Sequence, residues 1–295
     1  MKNQKITEMQ NHRSINIDRS STSEILKIIN SEDKIVANAV NKELKNICNF
    51  IDASINRLKK AGKMFYVGCG TSGRLGILDA VECPPTFGVE DDIFQGIIAG
   101  GKKAIFKSVE YAEDDRVKGE QIINEFNVNS NDIVLGITAS SSAQFVLGAL
   151  EASKKIGALT GFLICNNSTK YQFIDHYISI IVGPEVIAGS TRMKSGTATK
   201  LVLNMISTTC MIKLNKVYKN YMVDLKVVNN KLKKRAISII NQLTNLDIRN
   251  IEALLNSANG EVKTAIVMHK LNLSYLEAKK IIDNNNGSLS KVIDN

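Results

Sequence analysis

The sequence predicts an α/β protein in which a parallel sheet is flanked by helices and is followed by a small helical bundle. From residue 64 to about residue 212, short apolar stretches alternate with segments of helical periodicity. These stretches are almost continuously apolar, as is typical of parallel strands that are covered on both faces. Beyond about residue 225 only helical patterns remain. We therefore expect three regions: a helical arm over 1–60, a sheet domain over 61–224 and a helical bundle over 225–295.

Composition limits the possible partners. The 295 residues suffice for one large domain with an appendage. The net charge of +9 comes from lysines scattered among acids, without a nucleic-acid-binding signature, so we expect no nucleic-acid partner. No apolar run reaches the ~18 residues that cross a membrane, and no signal-peptide core opens the chain. Five cysteines without CxxC spacing predict reduced thiols. Together these features predict a cytoplasmic protein that has no membrane partner.

The individual elements follow from local patterns. In the arm, residues 21–23 offer N-caps for one helix, and apolar residues at helical spacing predict a second over 33–60. Predicted strands cover 64–67, 94–99, 133–138, 159–165 and 178–182. The connecting helical segments are 74–81, 102–126, 143–156 and 192–213. The bundle helices are 230–244, 248–257, 262–269 and 275–283, and Ser274 with Glu277 forms a capping box before the last of them.

A glycine- and hydroxyl-rich turn, 68–73, joins the first strand to the first connecting helix. Bare N–H groups and the positive end of the helix dipole meet there, so we expect Gly70, Thr71 and Ser72 to bind an anion. The turn also fits the dinucleotide pattern GxGxxG. That site needs an acid after the second strand, whereas residues 100–101 are both glycine. A terminal phosphate is therefore favoured over a dinucleotide.

A second polar loop follows the third predicted strand, at the edge where open parallel sheets place their sites. Ser140 and Ser141 lie in a run of three serines before a helix. The run is either a surplus of N-caps or a second phosphate cradle, and both interpretations stay open.

A third polar loop, 183–197, follows the fifth predicted strand and brings together a carboxylate, hydroxyls and two cations. One interpretation is a capped helix with surface charges. The other is a sugar-phosphate contact surface, in which Glu185 meets hydroxyls and Arg192 or Lys194 meets anionic groups.

Carboxylates are the plausible acid–base groups. Glu82 ends the predicted helix after the first loop, just before Pro84 and Pro85, where we expect the backbone to leave helical geometry. Glu110 and Glu113 share a face at i,i+3 of the next segment. Taken alone, such acids are usually solvated. The three histidines, at 12, 176 and 269, are isolated, so neither a metal site nor a serine–histidine–aspartate site is expected.

The segment 68–88, which reads GCGTSGRLGILDAVECPPTFG, closely resembles the signature of the N-acetylmuramic acid 6-phosphate etherase family. Segments 97–101, 110–114 and 189–198 resemble that family too, as do, more loosely, Thr7-Glu8 with Asn11 and Asn204-Met205. The resemblance spans nearly the whole chain. It implies a sugar-isomerase (SIS) phosphosugar-binding domain of the flavodoxin-like three-layer type, a UBA-like terminal bundle and a homodimer with sites near the subunit interface.

The family's reaction cleaves the D-lactyl ether at C3 of N-acetylmuramic acid 6-phosphate, without a metal or cofactor. The products are N-acetylglucosamine 6-phosphate and D-lactate, so the resemblance implies a carbon–oxygen lyase in the recycling of peptidoglycan sugar. The two catalytic glutamates fall on Glu82, as proton donor and water activator, and Glu113, as the base at C2. The residues expected to contact the phosphosugar are Gly70, Thr71, Ser72, Ser140, Ser141, Glu185, Ser190 and Lys194.

One loop departs from the family. Its members usually read Ala-Ser-Gly-Arg-Thr-Pro where residues 139–144 read Ala-Ser-Ser-Ser-Ala-Gln. Ser140 is retained, and the added serines supply hydroxyls but no positive charge. Two alternatives to the lyase therefore stay open: a non-catalytic phosphosugar sensor, like the glucokinase regulatory protein that the family also resembles, and a sugar-phosphate isomerase with Glu185 as its base.

Overall fold

The computed structural model describes residues 5–225, 227 and 229–294. The described chain divides into two compact units. The first contains the residues up to Val81 and those from Asp92 to Ser207, and the second contains Glu82–Asp91 and the residues from Thr208 onward. This division rests on compactness alone, and the three regions expected from the sequence, 1–60, 61–224 and 225–295, stay a prediction.

The first unit opens with three 3-10 turns and two helices. The turns are Ile6–Glu8, His12–Ser14 and Ile17–Arg19; helix α1 is Thr22–Asn41 and helix α2 is Leu44–Leu58. Ser21 caps α1 in a reciprocal capping box with Glu24. The prediction of a helix break before residue 33 is wrong, because α1 continues to Asn41. Its mid-helix residue Glu32 is buried against partners distant in sequence, which local patterns do not reveal.

A five-stranded parallel sheet forms the centre of the first unit, which confirms the predicted α/β class. The strand order is β2-β1-β3-β4-β5, and every pairing is parallel. The strands are β1 (Met64–Gly68), β2 (Phe94–Ile98), β3 (Ile133–Thr138), β4 (Leu159–Ile164) and β5 (His176–Ser179).

Helices cover both faces of this sheet and complete the three layers. They are α3 (Gly70–Phe87), α4 (Gly101–Phe106), α5 (Arg116–Glu125), α6 (Gln144–Ile156) and α7 (Lys194–Lys213). Phe65 of β1 packs in one cluster with Ile123 of α5 and Val146 of α6. On the opposite face, a Cβ on Gly76 of α3 would lie 2.9 Å from the Cβ of Tyr66. Successive strand residues point to opposite faces, so both faces are buried.

The predicted segment 102–126 and the last predicted strand differ from the elements that the structure shows. The segment 102–126 is not one helix: α4 ends, a 3-10 turn covers Glu110–Asp114, and Asp115 then caps α5 by accepting a hydrogen bond from the N–H of Lys118. The sequence predicts the last strand over 178–182, whereas β5 covers His176–Ser179. Ser179 pairs with Ile164, the last residue of β4, so β4 offers no further strand residue for pairing beyond Ser179.

The second unit contains a helical bundle, as the sequence predicts. Its helices are α8 (Asn230–Thr244), α9 (Ile248–Ser257), α10 (Val262–Leu271), α11 (Tyr275–Asn284) and α12 (Leu289–Ile293), the last of which the sequence did not predict. Ile240, Ile251 and Ile266 lie in its buried apolar cluster. Ser274 and Glu277 form the predicted capping box. Within the described part of the chain, no helix is both long and apolar enough to cross a membrane.

Candidate active site

The first loop is a direct passage from β1 into α3. The helix begins at Gly70, so Thr71 and Ser72 lie in its first turn rather than in a separate loop. Gly70 has a φ of +50°, a conformation that glycine adopts without strain. The first N–H groups of a helix have no partner within the helix, and the helix dipole is positive at that end. This turn therefore has the donors that an anion requires.

Gly68 and Gly73 permit this tight passage. A Cβ on Gly73 would lie 2.6 Å from the Cγ1 of Ile98 and 2.8 Å from the carbonyl oxygen of Gly68. A Cβ on Gly68 would lie 2.6 Å from the backbone nitrogen of Gly73. The glycine spacing thus serves close packing of strand and helix, which accounts for the match to the dinucleotide pattern without a nucleotide.

A cleft of about 150 Å³ lies beside the start of α3, and both Gly70 of the first loop and Glu113 line it. Arg74, on the next turn of α3, shapes one wall: its Nε donates to the carbonyl of Ile105 at 3.0 Å and its Nη2 to that of Lys107 at 3.1 Å. These bonds tie α3 to the end of α4. The lining residues are Cys69, Gly70, Arg74, Ala99, Ala104, Ser108, Val109, Glu110 and Glu113.

Both carboxylates predicted to share a face, Glu110 and Glu113, line this cleft. Burial and the neighbouring charge of Asp114 raise the pKa of Glu113 above its ordinary value, while the Lys5 ammonium acts in the opposite direction. Burial and the charge of Glu113 in turn raise the pKa of the Cys69 thiol to about 12. Cys69 is therefore a neutral thiol at neutral pH, and Glu113 is the cleft group suited to proton transfer.

The second loop is a chain of hydroxyls. The Oγ of Ser140 lies 3.2 Å from the Oγ1 of Thr138 and 3.0 Å from the Oγ of Ser142. Ser141 has a φ of +63°, and its Oγ donates to the carbonyl of Asn167 at 3.2 Å. Ser140 therefore belongs to the hydroxyl chain, whereas Ser141 is used to hold the loop.

The N-terminal segment crosses the carboxyl edge of the sheet beside this loop. Asn166, which follows β4 and is buried, donates from Nδ2 to the Oγ1 of Thr7 at 2.8 Å and to the carbonyl of Ala139 at 3.0 Å. Its Oδ1 accepts the N–H of Ile6 at 2.7 Å. The ammonium of Lys5 donates to the Oγ of Ser142 at 2.5 Å. Sequence reasoning missed Lys5 and Asn166, because only the tertiary fold brings these segments together.

Glu185 of the third loop is fully buried and caps α7. Its carboxylate accepts hydrogen bonds from the backbone N–H of Lys194 and Ser195, both at 2.9 Å, and from the Ser195 hydroxyl at 2.7 Å. The structure thus favours the capped-helix interpretation of this residue. A carboxylate occupied in this way argues against the sugar contact predicted for it and against an isomerase that uses it as a base.

Lys194 is also buried, with 1% of its side chain exposed, and its ammonium donates to the carboxylate of Glu32 at 2.5 Å. The Nδ2 of Asn11 donates to the same Glu32 oxygen at 2.8 Å. The Lys194 ammonium is thus paired with a carboxylate inside the protein. Lys194 is therefore poorly placed for the phosphosugar contact predicted for it.

The rest of the third loop lies near the N-terminal segment and the first loop. The N–H of Gly189 donates to the carbonyl of Thr7 at 2.9 Å. Ser190 is half-buried in the turn that follows, and a Cβ on Gly196 would lie 3.6 Å from the Cγ2 of Thr71. The beginnings of α3 and α7 are thus neighbours at the carboxyl edge of the sheet.

Glu82 lies on α3 within the second unit, and its side chain is exposed. The prediction that the backbone leaves helical geometry at Pro84-Pro85 is wrong, because the helix includes both prolines and ends at Phe87. Gly88, with a φ of +63°, terminates it by donating to the carbonyl of Pro84 at 2.9 Å. Each proline lacks the N–H that would donate to the carbonyl four residues earlier, so the two prolines remove two backbone hydrogen bonds near the end of the helix.

Within residues 5–225, 227 and 229–294, no three His, Cys, Asp or Glu side chains are arranged to hold a metal ion.

Known proteins resemble this chain in fold and in sequence. A phosphoheptose isomerase from Francisella tularensis matches 65% of this chain and 99% of its own, with a TM-score of 0.51 and 17% identity, which supports the fold alone. The model of the glucokinase regulatory protein N-terminal SIS domain matches residues 46–154, and that of the same protein's C-terminal lid domain matches residues 219–263.

Two curated relatives align over almost their whole length. N-acetylmuramic acid 6-phosphate etherase 1 of Bacillus licheniformis is 49% identical over 97% of this chain and 95% of its own. The N-acetylmuramic acid 6-phosphate etherase of Clostridium beijerinckii is 48% identical over the same shares. Identity of this extent leaves no doubt about kinship. The chain belongs to the N-acetylmuramic acid 6-phosphate etherase family.

Proposed function

We propose that this protein is a carbon–oxygen lyase that releases D-lactate from N-acetylmuramic acid 6-phosphate and leaves N-acetylglucosamine 6-phosphate. The observation that carries the proposal is the 49% and 48% identity with two etherases over 97% of this chain and 95% of theirs. The site chemistry supports it: a helix N-terminus suited to a phosphate adjoins a cleft that holds the carboxyl of Glu113.

In the proposed reaction the open-chain aldehyde is the reacting form. The C1 carbonyl acidifies the C2 proton, and the Glu113 carboxylate removes it. The electron pair forms the C2–C3 double bond while the C3–oxygen bond breaks, and the departing lactate oxygen takes a proton from the carboxyl of Glu82. Lactate and an unsaturated aldehyde result.

Hydration then restores the sugar. Glu82, now a carboxylate, takes a proton from water as its oxygen bonds to C3, and Glu113, whose carboxyl proton exchanges with solvent, delivers a proton to C2. Both glutamates recover their starting states, and the net reaction consumes one water.

Phosphosugar binding is proposed at the first and second loops. The N–H groups of Gly70, Thr71 and Ser72 and the hydroxyl of Ser140 are suited to a phosphate. Ser190 is kept as a candidate contact at the edge of the same region. Glu185, Lys194 and Ser141 are proposed to support the loops rather than the ligand, because their polar groups bind within the protein.

We also propose that the protein is a cytoplasmic homodimer. Leu78 and Val81 lie one turn apart on α3 and expose 51% and 59% of their surface, which supports an apolar contact between copies. Light scattering after gel filtration is expected to give twice the chain mass. The cysteine pattern, which predicts reduced thiols, supports a reducing compartment.

The test is a lactate assay in labelled water. Incubation with N-acetylmuramic acid 6-phosphate is expected to release D-lactate, and the sugar product is expected to carry solvent oxygen at C3 and solvent hydrogen at C2. Release of lactate without solvent oxygen at C3 would overturn elimination followed by hydration. Absence of lactate would overturn the lyase.

A non-catalytic phosphosugar sensor is the second candidate. The matches to models of the glucokinase regulatory protein and the altered second loop, 139–144, favour it. The same incubation separates the two, because a sensor binds the phosphosugar and releases no lactate.

A further inference from the structure

A lysine from the N-terminal segment reaches the second loop. Lys5 lies 137 residues before Ser142, yet its ammonium donates to the Ser142 hydroxyl at 2.5 Å. That hydroxyl is 3.0 Å from the hydroxyl of Ser140, which is 3.2 Å from that of Thr138. A positive charge therefore stands at the end of the hydroxyl chain proposed to meet the phosphosugar.

The position of Lys5 is built into the fold. The adjacent N–H, that of Ile6, donates to Asn166, and Asn166 also binds the hydroxyl of Thr7 and the carbonyl of Ala139. Thr7 and Asn166 are at most 1% exposed. The backbone next to Lys5 is thus fixed from a buried anchor, and the lysine side chain extends from that anchor to the loop.

Lys5 also acts on the cleft beside the first loop. Burial and Asp114 raise the pKa of Glu113, and the Lys5 ammonium opposes them. Such an opposing effect requires that the two charges lie near each other. The ammonium that donates to Ser142 in the second loop is therefore also near enough to Glu113 to act on its pKa.

Two other positively charged side chains of this region already have partners within the protein. The ammonium of Lys194 is buried against Glu32. The guanidinium of Arg74 donates to the carbonyls of Ile105 and Lys107. Lys5, half-buried and bound only to a neutral hydroxyl in the contacts that the structure gives it, is the better candidate to meet an anion.

We propose that Lys5 binds the phosphate of the phosphosugar, supplying from the N-terminal segment the positive charge that the second loop lacks. The position of its hydrogen-bond partner, Ser142, corresponds to the arginine that the family usually has in this loop. A phosphate carries a charge of about −1.5 to −2 near neutral pH, so hydroxyl donors alone leave it uncompensated. The proposal rests on the proposed function for the identity of the sugar.

The test compares Lys5→Met and Lys5→Arg in the full chain without an N-terminal tag. Lys27→Met, at an exposed lysine of α1, is the matched control. Calorimetry measures the Kd for N-acetylglucosamine 6-phosphate, and lactate release gives KM and kcat. Lys5→Met is expected to raise both Kd and KM about 10- to 100-fold with kcat within about threefold of wild type, as for one charged hydrogen bond. Lys5→Arg is expected to keep most of the affinity, and Lys27→Met all of it.

A charge-relocation variant keeps the test independent of folding defects. Lys5→Met with Ser142→Arg is expected to recover at least about tenfold of the lost affinity, because it returns one cation to the same place. The acidic limb of the kcat profile is expected to move to higher pH in Lys5→Met, since the effect of Lys5 on Glu113 is removed.

Three outcomes would overturn the proposal. The first is an unchanged Kd for N-acetylglucosamine 6-phosphate in Lys5→Met, which would mean that no phosphate contact is lost. The second is a loss confined to the lactyl substrate, which would assign Lys5 to the lactyl carboxylate. The third is a double variant no tighter than Lys5→Met. If wild type releases no lactate, the proposed function fails, yet the binding measurements still decide the role of Lys5.

Discussion

Lys194 and Glu32 form a buried ion pair that joins two segments 162 residues apart. Both side chains are at most 3% exposed, and Glu32 also accepts hydrogen bonds from Asn11 and Arg13. The pair therefore connects the middle of α1 to the first residue of α7, beside the third loop. Its polar atoms are satisfied, which is the condition under which a buried pair is tolerated.

The first prediction concerns stability. Lys194→Met leaves the Glu32 carboxylate buried without its ammonium partner, so we expect the free energy of unfolding to fall by about 3–5 kcal/mol. Adding Glu32→Leu is expected to restore part of that loss, because it removes the buried carboxylate that has lost its ammonium partner. Urea unfolding of the single and double variants measures both effects. Equal losses in Lys194→Met and in the double variant would contradict this account.

The same pair predicts a pH dependence. Burial disfavours ionisation of Glu32, but hydrogen bonds from Lys194 and Asn11 outweigh it and lower the pKa of the carboxyl in the folded protein. A lowered folded pKa contributes stability above the unfolded value of about 4.3, and that stability is lost as the pH falls below it. Wild type is therefore expected to lose more stability than Lys194→Met as the pH falls from about 5 to about 3, a window that brackets the unfolded pKa of the carboxyl.

Local patterns were sufficient for the sheet and the bundle. The strand β3 and the helices α8 and α9 have the predicted bounds, because continuous apolar runs and helical periodicity are local properties. The course of α1 was not predictable from such patterns, since the charge of Glu32 in mid-helix is balanced by Lys194. The passage of α3 through two prolines was not predictable either, because proline removes a helical hydrogen bond and disfavours helical geometry in the residue before it.

The candidate site was predictable in part. The first loop and Glu113 follow from strand ends, helix polarity and resemblance, and the structure brings them to one cleft. The burial of Glu185 and the approach of Lys5 to Ser142 depend on contacts across the fold, and no spacing in the sequence encodes them. The isolated motif therefore indicated the ligand class, while the tertiary contacts decide which polar side chains are available to it.

Asp114 is expected to influence the pH dependence of activity through its effect on Glu113. Its charge contributes to the raised pKa of Glu113, after burial, so Asp114→Asn is expected to lower that pKa. A base must be deprotonated to act, and activity is lost as the pH falls through its pKa. The acidic limb of the kcat/KM profile is therefore expected to move to lower pH. Glu125→Gln, on the exposed end of α5, is the matched control and should leave the limb in place. An unmoved limb in Asp114→Asn would separate Glu113 from the titration that limits activity.

Substitution of Glu113 and substitution of Glu82 are expected to block different steps of the reaction. Glu113→Gln should lose both lactate release and exchange of the C2 hydrogen of N-acetylmuramic acid 6-phosphate with deuterium oxide. Glu82→Gln should lose lactate release by about 100-fold or more while C2 exchange continues, because proton removal precedes departure of lactate. Nuclear magnetic resonance of the recovered substrate follows the exchange, and circular dichroism checks the fold. Exchange that persists in Glu113→Gln would reassign the base.

The last prediction concerns the altered second loop. Ser141 holds a φ of +63°, in the left-handed region that costs a residue with a Cβ about 1–2 kcal/mol, partly offset by the larger chain entropy of glycine. Ser141→Gly and Ser141→Ala both lose the hydrogen bond to Asn167, so they differ only in the Cβ. We therefore expect the glycine variant to be more stable than the alanine variant by roughly 1 kcal/mol. Thermal unfolding of the two variants measures the difference. An alanine variant as stable as the glycine variant would show that the loop relaxes out of this conformation, and the position of Ser140 in the hydroxyl chain would then need a different support.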